Sequence, residues 1–348
     1  MTDALTKRST PGPRLCVWEI TEACNLRCAH CIVSAGRRRP DELTPEEALG
    51  LVDALKGSGC EVVALSGGEP LKRRDWAAIA ARIVQSGMRA ALATNGLLVD
   101  DKAVDKMAAA GVYGVAVSLD GTAPTHSAIR GPGTFERALD AIRRLVSSPV
   151  ETAVMTQIHR GNVGELEDMY KTIVSLGVTR WQLQVAVPAG RMLVLEREYL
   201  MQVSDLPSVI ETIADLSRRG EISVSASDNI GYYSKDEPEL RRSRSGAPLF
   251  WTGCQAGKSV VGITSNGDVK GCPSLPGEFA VGNIRETPFE EIWRNDDGFA
   301  YTRRWDGALL TGGCADCPYA PVCKAGCTCM AYAVTGTVYD NPFCAQRV

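Results

Sequence analysis

The sequence predicts an α/β fold of repeated βα units followed by a small cysteine-rich domain. Three observations carry this expectation. From Cys16 to about Val187, short apolar runs alternate with amphipathic stretches, the pattern of successive strands and helices. Most of the amphipathic stretches end in glycine, a common helix C-cap. The alternation then fades before residue 228, and beyond residue 250 short apolar pieces are set among cysteines. With 348 residues, 45% of them hydrophobic and 23% charged, the chain has enough apolar mass for one large domain and one small one.

Residues 1–13 are polar at the start and are expected to be disordered. Six strands are predicted within residues 14–227: CVWEIT, EVVALSG, RAALATN, GVAVSLD, TAVMTQI and RWQLQVA. The intervening PEEALGLVDALKGSG, DWAAIAARIVQSG, DDKAVDKMAAAG, TFERALDAIRRLV and VGELEDMYKTIVSLG carry apolar residues at helical spacing. Thr44-Pro45-Glu46-Glu47 forms a helix start, with Thr44 as N-cap, proline in the first turn and acidic residues near the positive helix end. A further helix is expected near 198–219. The stretch 228–250 is rich in charge and breakers and reads as a linker. In 251–348, SVVGIT and GDVKGC flank an Asn266-Gly267 hairpin turn. A segment this short builds little core, so metal clusters are expected to act as its staples.

Parallel βα repeats collect their functional loops at the C-terminal ends of the strands. Cys24, Cys28 and Cys31 follow the first strand, and Gly67-Gly68-Glu69-Pro70 follows the second. Thr94-Asn95-Gly96 ends the third strand and Ser118-Leu119-Asp120-Gly121 the fourth. Four loops on one rim predict one site.

A net charge of −3 and a pI near 5.8 argue against nucleic-acid binding by phosphate neutralisation. The basic runs Arg37-Arg38-Arg39 and Arg241 to Arg244 are too short to reverse this. No signal peptide or membrane-length apolar stretch is present, so a cytoplasmic protein is expected. In that compartment 13 cysteines point to metal or redox chemistry rather than disulfides. C-x3-C-x2-C at Cys24, Cys28 and Cys31 offers three thiolates, so a cubane iron–sulfur cluster there keeps one iron open. Zinc is the simpler alternative for C-x2-C-x5-C-x3-C at Cys314, Cys317, Cys323 and Cys327. His30 reads as a packing residue beside the first knot, and Cys16 and Cys60 as core residues.

The cysteine loop after strand one, with GGEP after strand two, resembles the radical S-adenosylmethionine (radical SAM) superfamily over nearly the whole chain. The resemblance implies a partial (β/α)6 barrel. It also implies a [4Fe–4S] cluster on Cys24, Cys28 and Cys31 whose remaining iron is chelated by S-adenosylmethionine. By the same resemblance, the cofactor contacts come from Gly67, Gly68, Glu69, Pro70 and Ser118, with Arg130 or Arg137 balancing the cofactor carboxylate. Glu69 is expected to accept a hydrogen bond from the methionyl ammonium. Asn95 and Asp120 are candidate ribose contacts or turn caps. The C-terminal cysteines resemble a SPASM domain. Auxiliary cluster I is then held by Cys254, Cys272 and Cys327, and auxiliary cluster II by Cys314, Cys317, Cys323 and Cys344, both expected to be [4Fe–4S]. Many relatives add a cysteine shortly after the first, but 255–262 has none. That leaves either an open iron or Cys329 as a further ligand, with a buried spectator thiol as the plainer reading of Cys329.

Reductive cleavage of the cofactor in this family yields a 5′-deoxyadenosyl radical that abstracts a substrate hydrogen. The expected electron source is an external donor such as flavodoxin or ferredoxin. The first functional expectation is oxidation or cross-linking of a ribosomally made peptide. Only about fifteen residues precede the first strand, so recognition of a leader would fall to a separate protein. The alternative is a dehydrogenase acting on a secondary alcohol of a small aminocyclitol or sugar. Pro273 stands where sulfatase-maturing relatives carry an aspartate base, which argues against that reaction. A ferredoxin-like electron carrier leaves GGEP unexplained. Asp228, Asp236 and Glu237 are either contacts for a cationic substrate or part of a solvated linker, and Tyr232 and Tyr233 either line the site or pack.

Overall fold

The computed structural model describes residues 11–194, 199–242 and 246–348. The expected disorder at 1–13 therefore falls, up to residue 10, outside the described residues. The six expected strands form as β1 (Leu15–Glu19), β2 (Val62–Ser66), β3 (Arg89–Thr94), β4 (Gly114–Ser118), β5 (Glu151–Ile158) and β6 (Arg180–Val185). A seventh, β7 (Ser223–Ala226), pairs with β6, and all seven run parallel in chain order. Its SVSA sequence buries only Val224, too little apolar patterning to stand out.

The helices α1 (Pro45–Gly57), α2 (Trp76–Gln85), α3 (Asp101–Ala109), α4 (Ala123–Arg130), α5 (Thr134–Val146), α6 (Leu166–Ser175) and α7 (Leu206–Arg219) lie between the strands. α1 starts with the expected Thr44 N-cap, which the structure completes as a capping box, Thr44 accepting from Glu47 N while Glu47 accepts from Thr44 N. α4 was not expected, since its polar APTHSAIR buries only His126 and Ile129.

Along each strand, alternate residues pack against the helices. Cys16, Trp18, Val63, Leu65, Leu92, Val115, Val154, Trp181 and Leu183 are buried in the one large core. The opposite face carries Ala64, Ala91, Ala93, Ala116 and Ala153, all half-buried. Small side chains at these positions limit how far this part of the face is filled.

The C-terminal hairpin joins this sheet directly. β8 (Val260–Ile263) pairs in parallel with β1, and β9 (Asp268–Lys270) and β10 (Gly282–Asn283) follow antiparallel. Among the described residues the sheet has ten strands in the order β10-β9-β8-β1-β2-β3-β4-β5-β6-β7 and does not close. Among the described residues no helix is long and apolar enough to cross a membrane.

The stretch 228–250 is anchored through buried residues. Glu237, at the start of α8 (Glu237–Leu240), is 1% exposed, pairs with Arg241 at 2.9 Å and accepts from Trp251 N and Tyr233 N at 3.0 Å. The Arg241 guanidinium lies over the rings of Tyr232 and Trp251, and Trp251 Nε1 donates to Cys323 O at 3.0 Å. This polar knot ties β7 to the cysteine-rich segment. Removing one partner of a buried ion pair strands the other charge. Glu237→Ala is therefore expected to destabilise the protein by about 3 kcal/mol, read as a lowered thermal midpoint, and an unchanged midpoint would contradict this account.

Candidate active site

The ends of β1 and β2 are laid side by side by two glycines. Gly68 N donates to Thr21 O at 2.7 Å and Glu69 N to Ala23 O at 2.9 Å. A Cβ on Gly68 would stand 2.5 Å from Ala23 O, and Gly67 has a φ of +134° that side chains rarely adopt. The cysteine loop begins at this junction.

Glu69 is fully buried. Its Oε1 accepts from Thr94 Oγ1 at 2.8 Å and Leu71 N at 3.2 Å, and its Oε2 from Asn95 N at 2.8 Å. Burial pushes its pKa up to about 7 against those hydrogen bonds. A carboxylate accepts about four such bonds, so capacity for one more donor remains. Asn95 turns its amide to the cysteine loop, donating to Asn25 Oδ1 at 2.9 Å and approaching Cys24 Sγ at 3.9 Å. Leu26 N donates to Cys24 Sγ at 3.4 Å.

Asp120 organises the other side of the loop. Its Oδ2 is shared by His30 Nε2 at 2.8 Å and Arg130 Nε at 2.5 Å, and its Oδ1 accepts from Gln157 N at 2.8 Å. Burial works to raise its pKa, but Arg130 and then His30 outweigh burial and hold it well below the usual carboxylate range. Arg130 Nη1 reaches to 3.9 Å from Cys28 Sγ. Arg137, by contrast, is exposed and donates to Leu97 O at 2.8 Å. Only Arg130 of the two candidate arginines stands at the cysteine loop. Ser118 ends β4, half-buried on the inner face.

All three histidines of the chain gather around Asp120. His126 Nδ1 accepts from Asp120 N at 3.0 Å, and burial lowers the pKa of both His126 and His159 to about 4. One ring nitrogen of each histidine lacks a partner among the described residues.

One contributor was missed in the sequence. Arg191, after β6, donates from Nε to Cys28 O and from Nη1 to Ala35 O, both at 2.8 Å, while its N–H reaches Cys31 O at 3.0 Å. It clasps the loop across 163 residues of chain. The Gly190-Arg191 pair after a strand was its only sequence signal.

In the C-terminal domain, Cys314, Cys317, Cys323 and Cys344 line one cavity of about 210 Å³, with Tyr232 and Arg347 on its wall. Asn341 N donates to Cys314 Sγ at 3.5 Å and Gln346 N to Cys344 Sγ at 3.4 Å. Lys270 holds the loop after Cys272 by donating to Pro273 O at 2.9 Å and Leu275 O at 2.6 Å. Cys327 N donates to Tyr232 Oη at 2.9 Å, and Tyr232 in turn donates to Asp228 O at 2.7 Å. Among the described residues no three His, Cys, Asp or Glu side chains converge on a single metal ion. Thiols spread around a cavity, with N–H donors aimed at their sulfurs, fit the larger shell of an iron–sulfur cluster.

The radical SAM superfamily model matches residues 18–173, and that of the iron–sulfur cluster-binding SPASM domain matches 254–318. The AdoMet-dependent heme synthase of Methanosarcina barkeri (strain Fusaro / DSM 804) is 34% identical over 97% of this chain and 98% of its own length. The mycofactocin maturase MftC of Mycolicibacterium smegmatis is 28% identical over 97% of this chain and 83% of its own. Among solved structures, Streptococcus suis SuiB bound to its precursor peptide SuiA superposes with a TM-score of 0.77 at 16% identity. The match covers 95% of this chain and 75% of that one, a likeness of fold.

Two outcomes are expected. Gly68→Ala should displace the backbone beneath the cysteine loop and lower iron uptake, with the far-UV circular dichroism retained; full iron loading would contradict the close approach. His126 and His159 should titrate near pH 4 by ring-proton NMR instead of near 6.5. Because the unfolded histidines take up protons first, stability should fall as pH drops from about 6.5 towards 4.

Proposed function

Because the chain belongs to the radical SAM superfamily and carries its iron–sulfur SPASM domain, we propose that it oxidises a substrate held in the mouth of the barrel by removing hydrogen from an unactivated C–H bond. The observation that carries this is the cysteine loop itself. Three thiols sit on one loop at the C-terminal rim of a parallel sheet, with N–H groups of Leu26, Asn95 and Arg130 turned to their sulfurs. When bound, the cluster and S-adenosylmethionine supply a one-electron cleavage that produces a carbon radical strong enough to take that hydrogen.

In this reading Cys24, Cys28 and Cys31 hold the first cluster and Arg191 keeps their loop in place. The backbone and remaining acceptor capacity of Gly67 to Pro70 receive the methionyl ammonium. Arg130 balances the cofactor carboxylate, and Ser118 contributes a hydroxyl from the next strand. Asp120, with three acceptor positions filled by His30, Arg130 and Gln157, acts chiefly through Arg130 and His30, and Asn95 acts through Asn25. Arg137 supports the rim from outside. Cys254, Cys272 and Cys327 bind one auxiliary cluster and Cys314, Cys317, Cys323 and Cys344 the other. The clusters these cysteines would hold would supply an acceptor for the electron left on the substrate, and the donor expected for the first is an external one-electron carrier such as flavodoxin or ferredoxin.

For the substrate, likeness along nearly the full length of a heme synthase supports a tetrapyrrole on the way to heme. The peptide reading is second, supported by the likeness to a mycofactocin maturase. The test is release of 5′-deoxyadenosine from anaerobically reduced enzyme offered an iron porphyrin with carboxylate side chains, a peptide fraction or a sugar-sized fraction of host extract. Stimulation by the porphyrin is expected. Stimulation by the peptide fraction alone would move the assignment to peptide maturation, and by the sugar-sized fraction alone to a small-alcohol dehydrogenase. Cys28→Ala should abolish release in every arm; retained release would overturn the radical mechanism.

A further inference from the structure

The cysteines beyond residue 250 sort into two sets of four by proximity. Cys323 stands within electrostatic reach of Cys344, Cys314 and Cys317, and Cys344 within reach of Cys314 and Cys317. Cys327 is within reach of Cys254, Cys329 and Cys272, while Cys329 is within reach of Cys272 and Cys254. Around Cys272, Cys314, Cys323, Cys327, Cys329 and Cys344, no thiol of the other set is a main electrostatic neighbour. The first set lines the single cavity already described. The second is Cys254, Cys272, Cys327 and Cys329, one thiol more than the family resemblance supplies.

The backbone explains how the chain passes between the sets. Lys324, Ala325 and Gly326 have φ of 55°, 59° and 66°, three successive left-handed residues between Cys323 and Cys327. The sharp turn delivers Cys327 as N-cap of the helix Thr328–Thr335, and Cys329 follows in its first turn. Cys329 is 5% exposed, and its Sγ lies 3.1 Å from Ser274 O, two residues beyond Cys272.

We propose that Cys329 is the fourth thiolate of the first auxiliary site, beside Cys254, Cys272 and Cys327, so that protein sulfur closes every iron of that cluster. The proposal rests on the cluster-binding reading above and deepens it. On ligation the thiol proton goes to solvent, the hydrogen bond to Ser274 O is given up and an iron–sulfur bond forms, with no change of oxidation state. A closed cluster takes electrons from the substrate without binding it. The competing role is a satisfied core thiol that keeps its hydrogen bond to Ser274 O.

The test uses the full chain with Cys24, Cys28 and Cys31 changed to Ala, which leaves only auxiliary clusters, reconstituted anaerobically. Adding Cys329→Ala should lose between about one and four irons per chain and change the low-temperature EPR spectrum of one cluster. Cys329→Ser should shift its midpoint potential. Cyanide should leave the parent spectrum unchanged and alter that of Cys329→Ala. Unchanged iron, spectrum and potential in both variants would overturn the proposal, as would a parent cluster that already binds cyanide. Should Cys329→Ala fail to fold, the serine variant and the cyanide test on the parent decide. A parent that takes up no iron overturns the underlying cluster reading instead, an outcome distinct from a loaded parent with an indifferent variant.

Discussion

β1 is hydrogen-bonded on both edges, to β2 on one side and β8 on the other. The strand that delivers the cysteine loop is thus the strand shared by the barrel and the C-terminal domain. Neither neighbour can shift without carrying the loop along. The register with β2 sets the glycine junction beneath the loop, and β8 leads, through the β8–β9 hairpin, to Cys272. The proposed first cluster and an auxiliary site are therefore positioned from one rigid origin, which suits a reaction in which an electron must leave the substrate after hydrogen abstraction.

A second economy is visible in the polar groups. Three buried acids are spent largely on holding something else. Glu69 collects the end of β3, Asp120 collects His30 and Arg130, and Glu237 collects Arg241, Trp251 and Tyr233. Buried charges of this kind are tolerated when they are paired and fully hydrogen-bonded. In the proposed reading, direct cofactor contact falls to groups with spare capacity, chiefly Arg130, Ser118 and the glycine-rich rim with the one open acceptor position of Glu69.

The sequence was legible wherever local pattern and local function coincide. The six strands, the Thr44 N-cap and the cysteine loop could be read because short-range spacing specifies them. β7 and α4 could not, because one buried residue in SVSA and two in APTHSAIR make no periodic signal. The choice between Arg130 and Arg137 needed the third dimension, since both follow the same strand and only packing puts one guanidinium at the loop. Arg191 was invisible for the same reason, as its partners lie more than 150 residues away. The pairing of β8 with β1 is likewise a long-range fact, and it turns a hairpin expected in a separate small domain into an extension of the barrel sheet.

The phenol of Tyr232 accepts from Cys327 N and donates to Asp228 O, with its ring pinned beneath Arg241 and against Trp251. It is a spacer of fixed length between the end of β7 and a thiol of the C-terminal domain. Electron tunnelling falls off exponentially with separation, so a spacer that does not flex is also a clock. In the proposed reading Cys327 is an auxiliary-cluster ligand, and this side chain is one of the contacts that place it against the end of the barrel sheet. A residue without the phenol would remove both hydrogen bonds and loosen the placing of Cys327, a change that the proposed reading translates into slower electron transfer out of the substrate.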